Sequence, residues 1–174
     1  MLSVNMKISV IVTNWNGQEL LKKNLEKIIK NSPQAQEILL ADDASSDNSL
    51  KYANSIQSKY SKLKIISHKK NLGFGANTND AINQSKGELV VLLNNDIYPY
   101  PNYLLSSFKH FDNPKVFGVG FAEKGHENWA RFMWKGGYLQ HEPGLTNIKK
   151  THISGWVSGG SSIIRKSQIG RAHV

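Results

Sequence analysis

Short apolar runs, each ending in polar or glycine-rich residues, recur along the first half of the chain. They cover residues 7–13, 37–41, 63–67 and 89–93. Such continuous apolar runs are typical of strands covered on both faces of a sheet. We therefore predict a β-strand at each run, and further elements near residues 116–121 and 161–165.

Helical patterns separate these runs. In the first, the apolar residues that share one helix face are Leu21, Leu25, Ile28 and Ile29. In the second they are Leu50, Ala53, Ile56 and Tyr60, with Ser46 or Asp47 as the expected N-cap. One helix between consecutive strands implies right-handed parallel crossovers. The pattern predicts an α/β fold with a Rossmann-like, mostly parallel sheet flanked by helices.

Two later segments also indicate helices. Proline is favoured at the first helical position, so we expect a helix to begin at Pro101. Trp129, Phe132 and Met133 are spaced as one helix face. Arg131 and Lys135 would extend that helix with basic charge, which leaves a membrane-facing role open.

The polar residues at the strand ends predict a ligand site. Four of the 13 acidic residues fall in these loops, and they are Asp42, Asp43, Asp47 and Asp96. In open α/β sheets, ligands bind outside the carboxyl ends of the strands. Asp42 and Asp43 are adjacent and should point in opposite directions, so we expect one to face the ligand and the other to cap the backbone.

The residue types at this edge suit a nucleotide and a cation. A carboxylate after the second strand can accept from a base N–H or a ribose hydroxyl. Asp96, beside Asn95, suits Mg²⁺ or Mn²⁺, which use few protein carboxylates. The turn from Gly73 to Gly75 opens a helix and could approach phosphate, although it matches neither the dinucleotide fingerprint nor a Walker A loop. A tight strand-to-helix turn accounts for it equally well.

Composition narrows the function classes. A chain of 174 residues with 39% hydrophobic residues suits one compact domain, and the absence of cysteine excludes disulfides and thiolate chemistry. No apolar run approaches the roughly 20 residues that span a bilayer, and residues 1–6 are too short and polar for a signal peptide. We expect a cytoplasmic protein, with peripheral contact to the inner face of the cell membrane left open. The net charge of +9 favours anionic partners, although a solvated face accounts better for the lysines of the first helix.

Five segments together carry a family resemblance. They are residues 9–17, 38–49, 71–79, 87–96 and 155–165. In this order they resemble the bacterial rhamnosyltransferase-like enzymes of glycosyltransferase family 2, which build cell-surface polysaccharides. The resemblance implies a glycosyltransferase-A-type fold over residues 1–168, incomplete at the C-terminus.

The resemblance also implies site roles. Asp43 would recognise the base of a nucleotide-sugar, and Asp96 would hold Mg²⁺ or Mn²⁺ at the donor diphosphate. Asn94 stands where the family's D-x-D motif begins with Asp, which makes the metal site less acidic. The implied nucleotide-sugar-binding residues are Thr13, Asn14, Asn16, Asp43, Asn71, Gly73, Asn95 and Gly160.

The implied reaction is inverting transfer of a sugar from a nucleoside-diphosphate-sugar to the hydroxyl of a saccharide or lipid-linked acceptor, with no nucleic acid involved. A general base must take the acceptor proton. In the family it belongs to an acidic pair downstream of the Gly159–Gly160 segment, and no carboxylate follows Ser161 here. Residues 169–174 also resemble the translation of one reading frame of a common sequencing-library adapter. We therefore expect a truncated, inactive chain with a non-native tail and no assigned base; the carboxylates that match no base position are Asp112, Glu123, Glu127 and Glu142.

Two other protein classes fit the sequence less well. A receiver domain should carry its acidic pair after the first strand, and a nucleotidyltransferase should carry a basic glycine-rich loop there; residues 14–17 provide neither. A nucleotide-sugar-binding fragment without catalysis stays open. The histidines at 126, 141 and 152 lack metal-ligand spacing. The tryptophans at 129, 134 and 156 could stack an acceptor sugar, touch lipid headgroups or pack in the core.

Overall fold

The computed structural model describes residues 6–125, 130–144 and 150–170. Its strands are β1 Ile8–Asn14, β2 Glu37–Asp42, β3 Leu63–Ser67, β4 Leu89–Asn94, β5 Gly118–Gly120, β6 Ala130–Lys135, β7 Tyr138–Pro143 and β8 Ser161–Arg165. Its α-helices are α1 Gln18–Asn31, α2 Ser49–Gln57, α3 Phe74–Gln84 and α4 Leu105–Phe108. One 3₁₀ turn, at Lys109–Asp112, follows α4, and another, at Lys166–Gln168, follows β8.

Six strands form one sheet in the order β3-β2-β1-β4-β8-β5. Strands β1 to β4 pair in parallel, and β8 runs antiparallel to both β4 and β5. The predicted α/β fold with a mostly parallel sheet is confirmed, and the elements expected near residues 116–121 and 161–165 are β5 and β8. The carboxyl ends of β1, β2 and β4 therefore lie side by side.

Both faces of the sheet are covered, which explains the continuous apolar runs. Val10 and Val12 point to one face and pack with Leu21 and Leu25 of α1. Ile11, between them in the strand, points to the other face and packs with residues of α3. The predicted apolar face of α1 is fully buried, as expected.

Helix α2 is shorter than its predicted apolar face. It ends at Gln57, so Tyr60 lies in the following turn, where its N–H donates to the carbonyl of Gln57 at 3.1 Å. The N-cap is Asn48 rather than Ser46 or Asp47. Asp47 nevertheless serves this helix start, because its Oδ1 accepts from the N–H of Ser49 at 2.9 Å.

The prediction that a helix begins at Pro101 is wrong. Residues 101–104 form turns, and α4 begins only at Leu105. Asn102 has a φ of 65°, in the left-handed region, so a right-handed helix cannot run through it from Pro101.

The helix expected across residues 129–135 is also wrong. Phe132 and Met133 lie in β6, which pairs antiparallel with β7 in a hairpin, while Trp129 lies outside the described residues. Gly136 and Gly137 connect the strands with φ values of 60° and 82°. Two consecutive positive-φ residues are what a tight hairpin turn requires. The glycine pair, rather than the apolar spacing, was the decisive signal.

The boundary expected at residue 168 stays a prediction. Ile169 packs partly buried against the α3 side of the sheet, and residues 171–174 lie outside the described part. Within the described ranges, no helix has both the length and the apolar character needed to cross a bilayer.

Candidate functional site

A pocket of about 560 Å³ opens at the carboxyl ends of β1, β2 and β4, beside the start of α3. Its volume falls in the range of small-molecule and cofactor sites. The lining residues are Thr13, Asn14, Trp15, Asp43, Asn71, Gly73, Phe74, Asn77, Asn94, Asn95 and Asp96. Asp43 and Asp96 thus share one edge of the sheet, as the sequence predicts.

Two of the implied site residues do not line the pocket. Asn16, with a φ of 48°, turns its side chain to the β2–α2 loop, where Oδ1 accepts from the N–H of Ser46 at 2.8 Å. Gly160 instead packs against Asn94, and its carbonyl accepts from the N–H of Asn94 at 2.9 Å. A Cβ at Gly160 would overlap the Asn94 side chain, so a larger residue here would displace that side chain.

Three lining residues were not found from the sequence. Trp15 and Phe74 are exposed aromatic side chains at the pocket wall, and Asn77 is buried in the first turn of α3. A large aromatic residue among polar strand-end residues was the available signal for Trp15 and Phe74. The sequence gives no indication that Asn77 lines the pocket. Its amide has a structural contact, because Nδ2 donates to the carbonyl of Ala41 at 3.0 Å.

Asp43 holds the glycine turn that opens α3. Its side chain is only 3% exposed. Oδ1 accepts from the N–H of Leu72 and Oδ2 from the N–H of Gly73, each at 2.8 Å. Gly73 has a φ of 83°, which favours glycine. Each carboxylate oxygen has a second lone pair, so Asp43 can support the turn and still accept from a ligand.

Asp42 points away from the pocket into the protein. Oδ1 accepts from the N–H of Ser45 at 2.9 Å, and Oδ2 accepts from the Ser45 hydroxyl at 2.6 Å and from Asn14 Nδ2 at 2.7 Å. The adjacent carboxylates therefore face opposite ways, as predicted, with only Asp43 at the pocket.

The β2–α2 loop is held by a third carboxylate. Asp47 Oδ2 accepts from the N–H of Gln18, at the start of α1, at 3.0 Å. Burial alone would raise the pKa of Asp47, but hydrogen bonds from Ser49 and Gln18 outweigh it and hold the pKa below its ordinary value. The charged form is thus stabilised, and it joins the starts of α1 and α2.

The segment from Asn94 to Asp96 offers oxygen ligands for a cation. Asp96 carries an exposed carboxylate at the pocket edge. No group of three or more His, Cys, Asp or Glu side chains that could hold an ion occurs in the described ranges. A cation here would rest on one carboxylate, amide oxygens, water and ligand phosphates, which fits Mg²⁺ or Mn²⁺.

The fold and site together define the class. A mostly parallel α/β sheet with a polar pocket at its carboxyl edge and a carboxylate after the fourth strand is a glycosyltransferase-A-type arrangement. The sequence model described as Glycosyl transferase family 2 matches residues 9–168. The chain belongs to this family.

Individual proteins agree with this assignment. The poly(ribitol-phosphate) beta-glucosyltransferase of Bacillus spizizenii is 33% identical over 96 residues, which are 53% of this chain and 15% of that protein. S. aureus TarS 1-349 in complex with UDP-GlcNAc is 26% identical with a TM-score of 0.58, covering 70% of this chain and 36% of that chain.

A third protein shares the fold. Mannosyltransferase PcManGT from Pyrobaculum calidifontis, in complex with GDP-Man and Mn²⁺, has a TM-score of 0.63 at 22% identity, covering 71% of this chain and 37% of that one. The chain thus spans well under half the length of these three proteins.

Proposed function

We propose that this chain supplies the donor site of an inverting glycosyltransferase that moves a sugar from a nucleoside-diphosphate-sugar to an acceptor hydroxyl in surface polysaccharide or glycolipid synthesis. The observation that carries the proposal is one pocket that joins the Asp43 carboxylate, the start of α3 and the Asp96 carboxylate. Membership of family 2 and the nucleotide-sugars bound by TarS and PcManGT support it.

The nucleotide would lie between the β1 and α3 sides of the pocket. Asp43 is the acceptor for a base N–H, and Thr13, Asn71 and Gly73 line the same wall. The exposed rings of Trp15 and Phe74 offer apolar surface against which a base or ribose can pack. The donor sugar would lie towards Gly160, which borders Asn94.

Asp96 is the proposed ligand of Mg²⁺ or Mn²⁺. A bound divalent ion would act as a Lewis acid that stabilises the leaving diphosphate. The chain's own contribution is to place one carboxylate, together with the amide oxygens of Asn94 and Asn95, beside the pocket. Asn94 supplies a neutral oxygen where a second carboxylate would add charge, so we expect cation affinity to depend strongly on the substrate phosphates.

The pocket provides no general base among its described lining residues. Asp43 and Asp96 are the carboxylates there, and the first holds the glycine turn while the second is the proposed metal ligand. Glu142 lies on the hairpin and forms ion pairs with Arg131 and Lys135 at 3.4 and 3.9 Å. We infer that these residues bind the donor and that the base comes from elsewhere in the active enzyme.

The hairpin β6–β7 is the proposed site of peripheral contact with an anionic membrane. Phe132 faces His141 and Trp134 faces Leu139 in register, so three large apolar side chains share one face with a histidine. Trp156 covers the base of this face, with its ring 4.3 Å from His141. Towards the tip, Trp134 is 74% exposed and Leu139 is 62% exposed.

The chemistry of the tip fits a lipid interface. Tryptophan and tyrosine favour that region, and Lys135 can reach anionic headgroups. The net charge of +9 favours the same partner. We accordingly propose a cytoplasmic protein that is peripheral at the inner face of the membrane.

Vesicle sedimentation tests this contact. Wild-type protein should bind vesicles with about 30% anionic lipid more than neutral ones, because the contact combines apolar burial with charge. Trp134→Ala should reduce binding, whereas Phe117→Ala, at an exposed aromatic residue outside the hairpin, should not. Binding unaffected by Trp134→Ala, or self-association through the hairpin instead, would refute the membrane contact.

Thermal unfolding with a panel of nucleotide-sugars, with and without Mn²⁺, tests the donor site. A ligand at 100 times its Kd should raise the free energy of unfolding by about 2.7 kcal/mol. The family's donor chemistry predicts that one or a few nucleotide-sugars stabilise the protein and that Mn²⁺ enhances the effect. No stabilisation by any of them would reject the proposal. The alternative function, a nucleotide-sugar-binding fragment without catalysis, predicts the same stabilisation.

A further inference from the structure

One chain of side-chain hydrogen bonds joins the ends of three neighbouring strands. Asn14 Nδ2, at the end of β1, donates to Asp42 Oδ2 of β2 at 2.7 Å. Asn14 Oδ1 accepts from Nδ2 of Asn95, which follows β4, at 2.7 Å. Asn24 of α1 completes the chain, because its Nδ2 donates to the backbone carbonyl of Asn95 at 2.8 Å. Asn95 is therefore held through both its side chain and its backbone.

Asn14 is almost fully enclosed by the protein, although it lies at the pocket wall. It is 3% exposed, and the N–H that donates to Asp42 is shared with the Ser45 hydroxyl, whose Oγ lies 3.2 Å from Nδ2. The residue before α1 packs closely against the hydrogen bond between Asn14 and Asn95. A Cβ at Gly17 would overlap both Asn14 Oδ1 and Asn95 Nδ2, so this hydrogen bond is packed against the start of α1.

Asp42 fixes the orientation of each amide group in this hydrogen-bond chain. An ionised carboxylate only accepts hydrogen bonds, so the NH₂ group of Asn14 must face it. The oxygen of Asn14 must then face Asn95, which presents its own NH₂ group. The hydrogen-bond chain uses one N–H of the Asn95 amide and leaves its oxygen available to a ligand. An amide oxygen, and not an NH₂ group, is what a divalent cation beside Asp96 requires.

We propose that Asn14 is a positioning residue for segment 94–96, acting through Asn95, and that it is not a contact of the nucleotide. This inference rests on the proposed function, because it concerns the cation-dependent part of donor binding. Asp42 fixes the orientation of the Asn14 amide, and Asn14 in turn fixes the orientation of the Asn95 amide. Asn95 then presents its oxygen next to the Asp96 carboxylate.

Calorimetric titration separates the two roles of Asn14. The probes are UDP and GDP with Mn²⁺, and the matching nucleosides without metal. Asn14→Ala should weaken Mn²⁺-dependent diphosphate binding at least about tenfold and change nucleoside binding less than about twofold, because only the cation side is displaced. Asn95→Ala should have the same pattern, and the double variant should be no worse than either single one, because both act through one chain.

Asn31→Ala is the matched control. Asn31 also donates one side-chain hydrogen bond, to the carbonyl of Pro99 at 2.7 Å, but it lies at the far end of α1. It should leave both kinds of binding unchanged. Equal losses for nucleoside and diphosphate in Asn14→Ala, or additive losses in the double variant, would overturn the proposal. If Asn14→Ala does not fold, Asn95→Ala and Asn14→Asp carry the same comparison.

Amide spectra of the ligand-free protein separate this inference from the proposed function. Asn14→Ala should shift the backbone amide signal of Asp96, whereas Asn31→Ala should not. If the wild-type protein binds neither UDP nor GDP, the proposed donor site fails while the Asp96 shift can still appear. If binding is normal and the Asp96 signal does not move in Asn14→Ala, the positioning role is refuted.

Discussion

Adjacent residues at the end of β2 divide two tasks. Asp43 lines the pocket and holds the turn at Gly73, whereas Asp42 points inward to Asn14 and Ser45. Because successive side chains of a strand point to opposite sides, this division follows from the backbone alone. What each carboxylate meets on its side depends on loops that are distant in sequence.

Replacing Asp43 tests the pocket side. Asp43→Ala should weaken donor binding by about 1–3 kcal/mol, because a charged hydrogen bond to the base is lost and two backbone N–H groups of the turn lose their acceptor. Calorimetric titration with the preferred nucleotide gives the change in binding free energy directly.

Asp42→Ala is the matched control. It leaves the Ser45 and Asn14 donors unpaired in a buried place, so we expect a loss of at least about 2 kcal/mol in the free energy of unfolding. Metal-free nucleoside binding should change little. Equal losses of nucleoside binding in both variants would mean that the roles of the pair are assigned wrongly.

At the scale of elements, a buried carboxylate connects the strands at their amino ends, opposite the pocket. Glu37 opens β2, where Oε1 accepts from Ser9 Oγ at 2.7 Å and from the N–H of Lys86 at 2.6 Å, and Oε2 pairs with Lys64. Burial alone would raise the pKa of Glu37, but these hydrogen bonds outweigh it and hold the pKa below its ordinary value. The charged carboxylate thus links β1, β2 and β3 with the approach to β4.

This linkage makes stability depend on pH. Because the pKa of Glu37 is lower in the folded state, its contribution is present above the ordinary glutamate pKa of about 4.3 and is lost as the pH falls through the folded-state pKa. Glu37→Gln should lower the free energy of unfolding at pH 7 by about 1–3 kcal/mol. Denaturant titrations from pH 7 to about pH 3 should show the gap to wild type closing below about pH 4.

Exposed Glu19 provides the comparison for Glu37. It pairs with Lys22 at 2.8 Å on the surface of α1, where such pairs contribute little. Glu19→Gln should therefore change stability only slightly at any pH. A gap for Glu37→Gln that stayed the same from pH 7 to the acid limit would contradict the assigned role.

The elements also show how far the sequence predicts this fold. Buried parallel strands need apolar residues on both faces. Continuous apolar runs in the sequence therefore predict β1 to β4. The hairpin was missed because the spacing of Phe132 and Met133 also fits a helix, and only the Gly136–Gly137 turn decides between the two. Asn102 illustrates a different limit, because its left-handed backbone rules out a helix from Pro101, and a proline followed by asparagine fits a turn as well as a helix start.

The candidate site was predictable to a similar extent. Polar strand-end residues such as Asp43, Asn71 and Asp96 could be placed at one edge, because parallel strands bring their carboxyl ends together. The hydrogen-bond chain through Asn14 and Asn95 could not, because it joins residues 81 positions apart. Only the folded register brings such pairs into contact.

At the scale of the whole molecule, the sheet forms the pocket proposed to bind the donor, and no acceptor base occurs among the described residues that line it. The 174-residue chain should therefore bind donor and transfer no sugar, because nothing there takes the proton from the acceptor hydroxyl. A radiolabelled-sugar transfer assay with the preferred donor measures this. Inverting transfer by this chain would direct the search to the carboxylates at 123, 127 and 142.

The most direct test of the central claim is calorimetric titration of UDP and GDP into wild type, Asp96→Asn and Asn94→Asp, each with and without Mn²⁺. The cation should bridge the Asp96 carboxylate and the phosphates, so Mn²⁺ should strengthen binding to wild type by at least about tenfold. Asp96→Asn should abolish that gain, and Asn94→Asp should enlarge it by adding a second charge. Nucleotide binding that is absent, or that gains equally from Mn²⁺ in Asp96→Asn, would contradict a cation-assisted donor site at this edge of the sheet.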